Sequence, residues 1–351
     1  MKVEARLYKN EGGYIKCLAC ARYCRIPNGS HGFCYVRANL DNKLYLLSYG
    51  KVEALQIDPI EKKPFNHFMP GSVVLGVGTS SCNFSCQFCQ NHNISKDKEI
   101  KGEELSPEDI VEIASINKVD GIAYTYNEPT IFIEFALDIA KLAKKKGMFN
   151  VFVTNGYLSE EAVDAISGYI DAAVVNFKGE GFYEKFMHRY MTVNSPEPIK
   201  NALIKMKEKG MHIEITDLVI PRVGDNLEYA KELCLFIKEE LGEDTPIHFN
   251  RFHPDYKMLD IEPTSFESLY NHYRLAKDLG LRYVYIGNVF GNRYESTYCP
   301  GCGNPVILRK GYEITGWNLD KDYRCIYCGY KIDIRGRAFL NKRLNDITPL
   351  I

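Results

Sequence analysis

The stretch VVLGVGTSSCNFSCQFCQ, residues 73–90, decides how the rest of this chain is read. Its first part, residues 73–77, is a short run of Val and Leu around one Gly, the composition of a buried strand. Its second part sets Cys82, Cys86 and Cys89 in a C-x3-C-x2-C spacing, compact enough for one loop to wrap three corners of a four-iron cube. Iron–sulfur clusters normally take a thiolate at every iron, so three ligands leave one iron open to an exogenous molecule. An open position on a metal marks chemistry, whereas a closed one marks structure. The strand run places this loop at the carboxyl end of a β-strand, where ligands and catalytic residues collect in α/β folds. A zinc knuckle completed by His92, or a Cys-rich loop of a disulfide scaffold, is the bland reading of the same residues.

Downstream, short β-branched runs alternate with longer amphipathic ones. Strands are expected at residues 73–77, 121–125, 149–154, 172–177, 212–218, 247–251 and 283–286. Helices are expected near 107–117, 130–146, 159–167, 197–209, 226–241 and 264–279. Ser106, Pro107 and Glu108 make a helix start, and Gly147 and Gly210 sit where C-terminal caps belong. Repeated strand–helix units imply a parallel sheet with right-handed crossovers. Without a Gly-x-Gly-x-x-Gly after the first strand, six or seven such units favour a barrel-like curl over a doubly wound sheet. The expected fold class is therefore α/β, a partial TIM-like barrel over residues 72–294. A Cys-rich lobe, residues 1–71, precedes it, and an appendix, residues 295–351, follows.

Composition narrows the class. The 351 residues are 45% hydrophobic and 25% charged, with 44 Lys+Arg against 45 Asp+Glu. This is an ordinary globular balance with no overall basic field for nucleic acid. No signal-like apolar core opens the chain and no apolar stretch approaches bilayer length, so a cytoplasmic location and no membrane are expected. With only three Gln, the chain has a weak thermophile-like bias.

Eleven of the twelve Cys fall into three sets; Cys234 stands alone and reads as a buried helix residue. Cys299, Cys302, Cys325 and Cys328 form two C-x2-C-Gly knuckles 22 residues apart, a closed tetrathiolate site of zinc-ribbon or rubredoxin type. Zinc is the expected metal there and mononuclear iron the runner-up. Cys17, Cys20, Cys24 and Cys34 give C-x2-C-x3-C-x9-C, four thiolates in eighteen residues. The N-terminal set is read as a structural zinc site, with a second [4Fe–4S] cluster or disulfides as the alternatives.

The triplet, with Phe88 before its last Cys, resembles the signature of radical S-adenosylmethionine (radical SAM) enzymes. Within them the chain resembles the pyruvate formate-lyase activating-enzyme-like branch, in particular the AmmeMemoRadiSam type. The matching pieces are residues 58–70 (DPIEKKPFNHFMP), Gln90-Asn91 after the triplet, 125–130 (TYNEPT), 153–157 (VTNGY), 176–178 (NFK), 252–256 (FHPDY), 285–289 (YIGNV) and the closing Cys pairs.

The resemblance implies a partial (β/α)6 barrel. It further implies a [4Fe–4S] cluster on Cys82, Cys86 and Cys89 whose fourth iron is chelated by SAM. One electron then cleaves SAM to methionine and a 5′-deoxyadenosyl radical, which takes hydrogen from a substrate. By the same resemblance Phe88, Asn127, Glu128, Thr154, Asn155, Asn176, Lys178, His253 and Asn288 lie around SAM, with Glu128 facing its ammonium. Asn176 stands where activating enzymes often carry Asp. The implied partners are SAM, a low-potential donor such as ferredoxin or flavodoxin, and a protein substrate activated at a glycyl residue. Modification of a small molecule or nucleic acid is the alternative substrate class. A zinc-ribbon adaptor without catalysis is the alternative of a different kind.

Overall fold

The computed structural model describes residues 2–179, 181–340 and 348–351. Its centre is a sheet built from β1 (Ala54–Pro59), β2 (Val73–Gly78), β3 (Gly121–Tyr124), β4 (Phe149–Thr154), β5 (Ala172–Lys178), β6 (His212–Val219), β7 (Ile247–Arg251) and β8 (Val284–Gly287). From β2 to β8 the strands are parallel and neighbours in chain order. The crossovers carry α1 (Pro107–Ile116), α2 (Ile133–Lys145), α3 (Glu160–Ile166), α4 (Glu197–Glu208), α5 (Leu227–Phe236) and α6 (Phe266–Asp278). Six strand–helix units and a closing strand make a partial (β/α)6 barrel. The sheet stays open between β8 and its other margin, where Thr348–Pro349 pairs with β1.

Alternation along the strands divides two cores. Leu75, Val77, Ile122 and Val175 point outward and pack with Ile110 and Ala114 of α1 and Phe135 and Ile139 of α2. Val74, Ala123, Val151 and Val174 point inward, against Ile60, Phe65 and Phe68. The Pro-punctuated segment between β1 and β2 thus folds into the amino end of the barrel and fills it. Each buried Phe there contributes about 1.5–3 kcal/mol through removal of apolar surface from water.

Local signals act as the sequence predicts. Ser106 and Asp109 form a reciprocal capping box, with Asp109 N donating to Ser106 Oγ at 3.1 Å and Ser106 N to Asp109 Oδ2 at 2.8 Å. Cys234 is fully buried in α5.

The expected boundary at residue 71 falls inside continuous structure. β1 belongs by sequence to the N-terminal lobe, yet it pairs antiparallel along its whole length with β2, from Ala54 opposite Gly78 to Pro59 opposite Val73. Local periodicity carries no record of such a pairing. The rest of the lobe is small antiparallel sheets: Val3–Glu4, Lys43–Leu46 and Arg37–Leu40 in one, Tyr8–Asn10, Tyr14–Cys17 and Arg25–Pro27 in another. A buried ion pair fastens this lobe to the barrel. Arg37, 1% exposed, donates through both terminal nitrogens to Glu134 of α2 and through Nε to Ile131 O at 3.0 Å.

Beyond β8 a three-stranded antiparallel sheet (Thr297–Tyr298, Pro305–Lys310, Glu313–Trp317) forms the C-terminal appendix. Its core of Val306, Ile307, Leu319 and Ile332 packs on Tyr283 and Tyr285 beside the open margin of the barrel.

Candidate active site

The cysteine loop leaves β2 at its carboxyl end, and two glycines in that strand shape what lies beneath it. A Cβ at Gly76 would sit 2.5 Å from Tyr126 Oη, and one at Gly78 would sit 3.0 Å from Thr125 O. Glycine therefore lets Tyr126 lie across the inner face of β2. There its hydroxyl donates to Asp58 Oδ2 at 3.2 Å, and Lys63 Nζ stands 4.3 Å from its ring centroid. Tyr126 and Ser81 both hold positive φ, at 71° and 72°, a conformation costly for non-glycine residues and concentrated at functional sites.

The loop is clamped from several sides. Ser81 N donates to Ile94 O at 2.8 Å, Ser85 N to Met191 O at 3.0 Å, and Gln87 N to Tyr190 O at 2.9 Å. Lys257 N donates to Gln87 O at 2.9 Å, while His92 pairs with Asp255 at 3.2 Å and stacks on Tyr256. Asn91 Nδ2 reaches Tyr126 O at 2.7 Å, tying the loop to the end of β3. Three segments far apart in sequence, at residues 126, 190–191 and 255–257, thus hold a loop rich in small and polar residues.

All three cysteines face a cavity of about 420 Å³ at the carboxyl ends of the strands. Phe88, Asn127, Glu128, Thr154, Asn155, Asn176, Lys178 and Asn288 line it too. Many of these polar groups answer one another. Asn127 accepts from Thr79 N at 3.2 Å and donates to Ser81 O at 2.9 Å, so it braces the start of the cysteine loop. Glu128 is 1% exposed, and its carboxylate accepts from Thr130 N, Thr130 Oγ1, Thr154 Oγ1 and Asn155 N at 2.6–3.1 Å. It also caps the short turn Pro129–Phe132. Burial raises its pKa despite those donors. Asn155 Nδ2 reaches Asn83 Oδ1 at 2.7 Å, and Gly156, at φ 75°, makes the turn that follows β4. Thr216 Oγ1 donates to Asn176 Oδ1 at 2.7 Å. Phe88 is buried and stacks on Phe186.

One expected residue falls outside. His253 is exposed and takes no part in lining the cavity. The 252–256 stretch serves the site from behind, through the Asp255 and Tyr256 contacts with His92.

Residues not expected from sequence complete the walls. Gln56, Lys62 and Lys63 enter from β1 and the segment after it, and Lys96 from the stretch after the loop. Asp58 holds both lysines at 2.8 Å; burial works against its charge, but Lys63 and Lys62 outweigh it and lower the pKa. Lys96 donates to Phe84 O at 2.9 Å. Burial works against its charge, but Cys82, Cys86 and Cys89 raise its pKa overall, so a cation stands beside all three sulfurs. The motif-like 58–70 stretch held the signal for Lys62 and Lys63; nothing in spacing marks Gln56 or Lys96.

The donor set fits an iron–sulfur cluster better than a single ion. Burial pushes the Cys82 thiol up to about 12, with Lys96 opposing, so metal binding must displace a proton there. Cys82 Sγ accepts from Phe84 N at 3.4 Å, and Cys89 Sγ lies 3.0 Å from Ser95 Oγ, contacts of the kind that tune cluster potentials. The C-terminal four behave differently. Cys299 and Cys328 Sγ are 3.6 Å apart and Cys302 and Cys325 Sγ 3.7 Å, and all four lie within 4.8 Å of one another. That is the spacing of a single tetrahedral ion, whose sulfur–sulfur edges come to about 3.8 Å. None of the twelve cysteines is joined in a disulfide.

Residues 77–237 match the radical SAM superfamily profile. The chain is 43% identical to an uncharacterized protein of Methanocaldococcus jannaschii over 94% of its own length and 99% of that protein's. It is 23% identical to the pyruvate formate-lyase-activating enzyme of Clostridium pasteurianum, over 56% of this chain and 87% of that one. A radical SAM methyltransferase from Sphaerobacter thermophilus shares the fold, with TM-score 0.50 at 13% identity, covering 62% of this chain and 66% of the other. The chain belongs to the radical SAM superfamily and is an enzyme of that class, using a [4Fe–4S] cluster and SAM. Its activating-enzyme-like character rests on likeness to members of that branch. No helix among the described residues is long and apolar enough to cross a membrane.

Proposed function

We propose that this enzyme takes a hydrogen atom from a glycyl residue of a partner protein. The carrying observation is the set of three thiols facing one large cavity at the carboxyl ends of the barrel strands. Likeness to a pyruvate formate-lyase-activating enzyme supports the choice of substrate class. When bound, the cluster and SAM supply a one-electron cleavage that yields methionine and a 5′-deoxyadenosyl radical.

In this reading the chain's own work is binding, orientation and exclusion of water. Cys82, Cys86 and Cys89 hold three irons. Lys96 and Lys178 set a positive field beside them, and the backbone about Tyr126 and Asn127, with Asn176 and Asn288, holds SAM. Glu128 and Asn155 act by fixing the ends of β3 and β4. A low-potential donor of the ferredoxin or flavodoxin type supplies the electron, and zinc occupies the C-terminal tetrad.

The test is anaerobic: reconstituted protein, SAM and reductant, with and without candidate partner proteins carrying a deuterated glycine. Deuterium in 5′-deoxyadenosine and a glycyl radical signal on the partner are expected. Deuterium arriving instead from a labelled small molecule or nucleic acid would overturn the glycyl assignment and leave the superfamily chemistry intact.

A further inference from the structure

A second, smaller cavity of about 70 Å³ lies at the open margin of the barrel, where the segment after β1, the end of β8 and the C-terminal appendix meet. It shares Lys62, Pro64, Asn250 and Asn288 with the 420 Å³ cavity, so the two adjoin. A Cβ at Gly287 would strike Asn250 Oδ1; glycine there lets Asn250 lie across the inner face of β8. Asn288 holds a positive φ of 61° at this seam. At the outer rim, exposed Phe290 meets Tyr312 edge-on, their ring centroids 5.5 Å apart.

Two buried polar atoms on the wall have no partner among the described residues. Glu61 and Arg309 are each 5% exposed. Glu61 Oε1 accepts from Gly71 N at 2.8 Å, but Oε2 receives nothing. Arg309 gives its terminal nitrogens to Thr297 Oγ1 and Asn66 O, each at 2.8 Å, but its Nε–H meets no acceptor. Arg309 is the charge that most opposes the effect of burial on Glu61, so the two stand near one another. Buried polar atoms are nearly always paired, and two orphans on one cavity wall point to a ligand that answers both.

The two orphans define its chemistry. One is an acceptor and the other a donor. A carboxylate ligand would meet Glu61 and half-buried Glu295, and an ammonium would meet Arg309 and Lys62. A neutral group with one donor and one acceptor escapes both repulsions, and a backbone amide is such a group. Without side chains, a peptide unit and its two flanking carbons take up about as much room as five waters, which is about what 70 Å³ admits.

We propose that this pocket binds a backbone amide of the protein substrate, whose C=O accepts from Arg309 Nε–H and whose N–H donates to Glu61 Oε2, and so holds the substrate segment beside the SAM cavity. The inference rests on the protein-substrate reading above.

The test uses unreduced holoenzyme loaded with SAM, at about pH 8, where Glu61, with its pKa of about 7, has released its proton. Three probes are titrated separately and followed by saturation-transfer NMR: N-methylacetamide, its ester counterpart methyl acetate, which lacks the N–H, and acetate. The amide should bind about tenfold tighter than the ester. Glu61→Gln can keep the Gly71 bond while turning its NH2 to the pocket, and should erase that preference. Equal binding of amide and ester to the native enzyme overturns the proposal, and so does acetate binding tighter than the amide. A preference that survives in folded Glu61→Gln overturns it as well. The native comparison needs no variant, so it decides even where Glu61→Gln fails to fold. Deuterium transfer from a partner's glycine without any amide preference would sink the pocket and leave the proposed function standing. Amide preference in an enzyme that takes hydrogen only from a small molecule would sink the protein-substrate reading and leave an amide site.

Discussion

The two ends of the barrel treat polar side chains in opposite ways. At the floor, Glu214 of β6 is fully buried and accepts from Asn66 N, His67 N, His212 Nε2 and His248 Nε2 at 2.8–3.1 Å. His67 continues to Tyr285 Oη at 2.6 Å, which meets Thr297 Oγ1 at 2.8 Å, and Arg309 closes the chain onto Thr297 and Asn66 O. The two histidines outweigh the burial of Glu214 and hold its pKa well below the usual carboxylate range. At the mouth, three thiols and Lys178 face a 420 Å³ space instead. Polar groups that answer one another build a joint between plug, barrel and appendix; groups left facing a void await a ligand. The same contrast separates the closed C-terminal tetrad from the three-thiol loop.

Four substitutions press on this contrast. The largest effect belongs to the mouth. Cys86→Ala should abolish reductive SAM cleavage while the C-terminal metal stays bound; deoxyadenosine formed at the native rate would refute the cluster assignment. Next, Cys325→Ser should do the reverse. Structural tetrathiolate sites contribute on the order of 10 kcal/mol to folding of their module. The appendix should therefore lose its metal and its protection from proteolysis, with SAM cleavage per folded molecule retained. A variant whose metal content and protease resistance both equal those of the native chain would show that the closed spacing does not hold a metal.

At the floor, Glu214→Gln removes the carboxylate that accepts from His212, His248 and the backbone of Asn66 and His67, and should cost about 1–3 kcal/mol in urea unfolding, as for buried donors left short of an acceptor. SAM binding by the folded variant should be unchanged; a weakened SAM affinity at native stability would join floor to mouth. The last concerns Glu61, the acid of the plug. Burial pushes its pKa up from 4.5 to about 7, with Arg309 opposing. Between those values the folded chain keeps a proton that the unfolded chain has released, so this group's contribution is full below about 4.5 and is lost as pH rises through about 7. The loss is about 3 kcal/mol at most. Glu61→Gln should flatten that slope in denaturation curves recorded from pH 5 to 8, and an unaltered slope would count against it.

Much of this architecture is legible in the chain because it is local. The seven parallel strands and six helices follow from periodicity and caps, and the cysteine sets from spacing. What escapes is long-range. β1 carries no mark of its antiparallel partner, and the 60–70 segment, having no period, hides its place as a plug. At the site, the cysteines and eight of the nine residues expected around SAM line one cavity. Yet Asn127, Glu128 and Asn155, read as ligand contacts, spend most of their hydrogen bonds on the protein, because partners across strand ends are invisible in one dimension. His253 is displaced from the cavity by the course of its loop, and Lys96 reaches the sulfurs from a turn that no motif announces.

The Arg37–Glu134 pair sets the smallest piece of this enzyme that can stand alone. A chain begun at residue 72 would keep every strand–helix unit. It would also strip β2 of its neighbour, empty the barrel floor of Phe65 and Phe68, and leave Glu134 buried without its cation. An uncompensated buried charge costs about 3–5 kcal/mol, and a bared strand edge invites pairing with other chains. The unit of chemistry is thus narrower than the unit of folding. The lobe, the barrel and their shared ion pair should melt in a single cooperative transition.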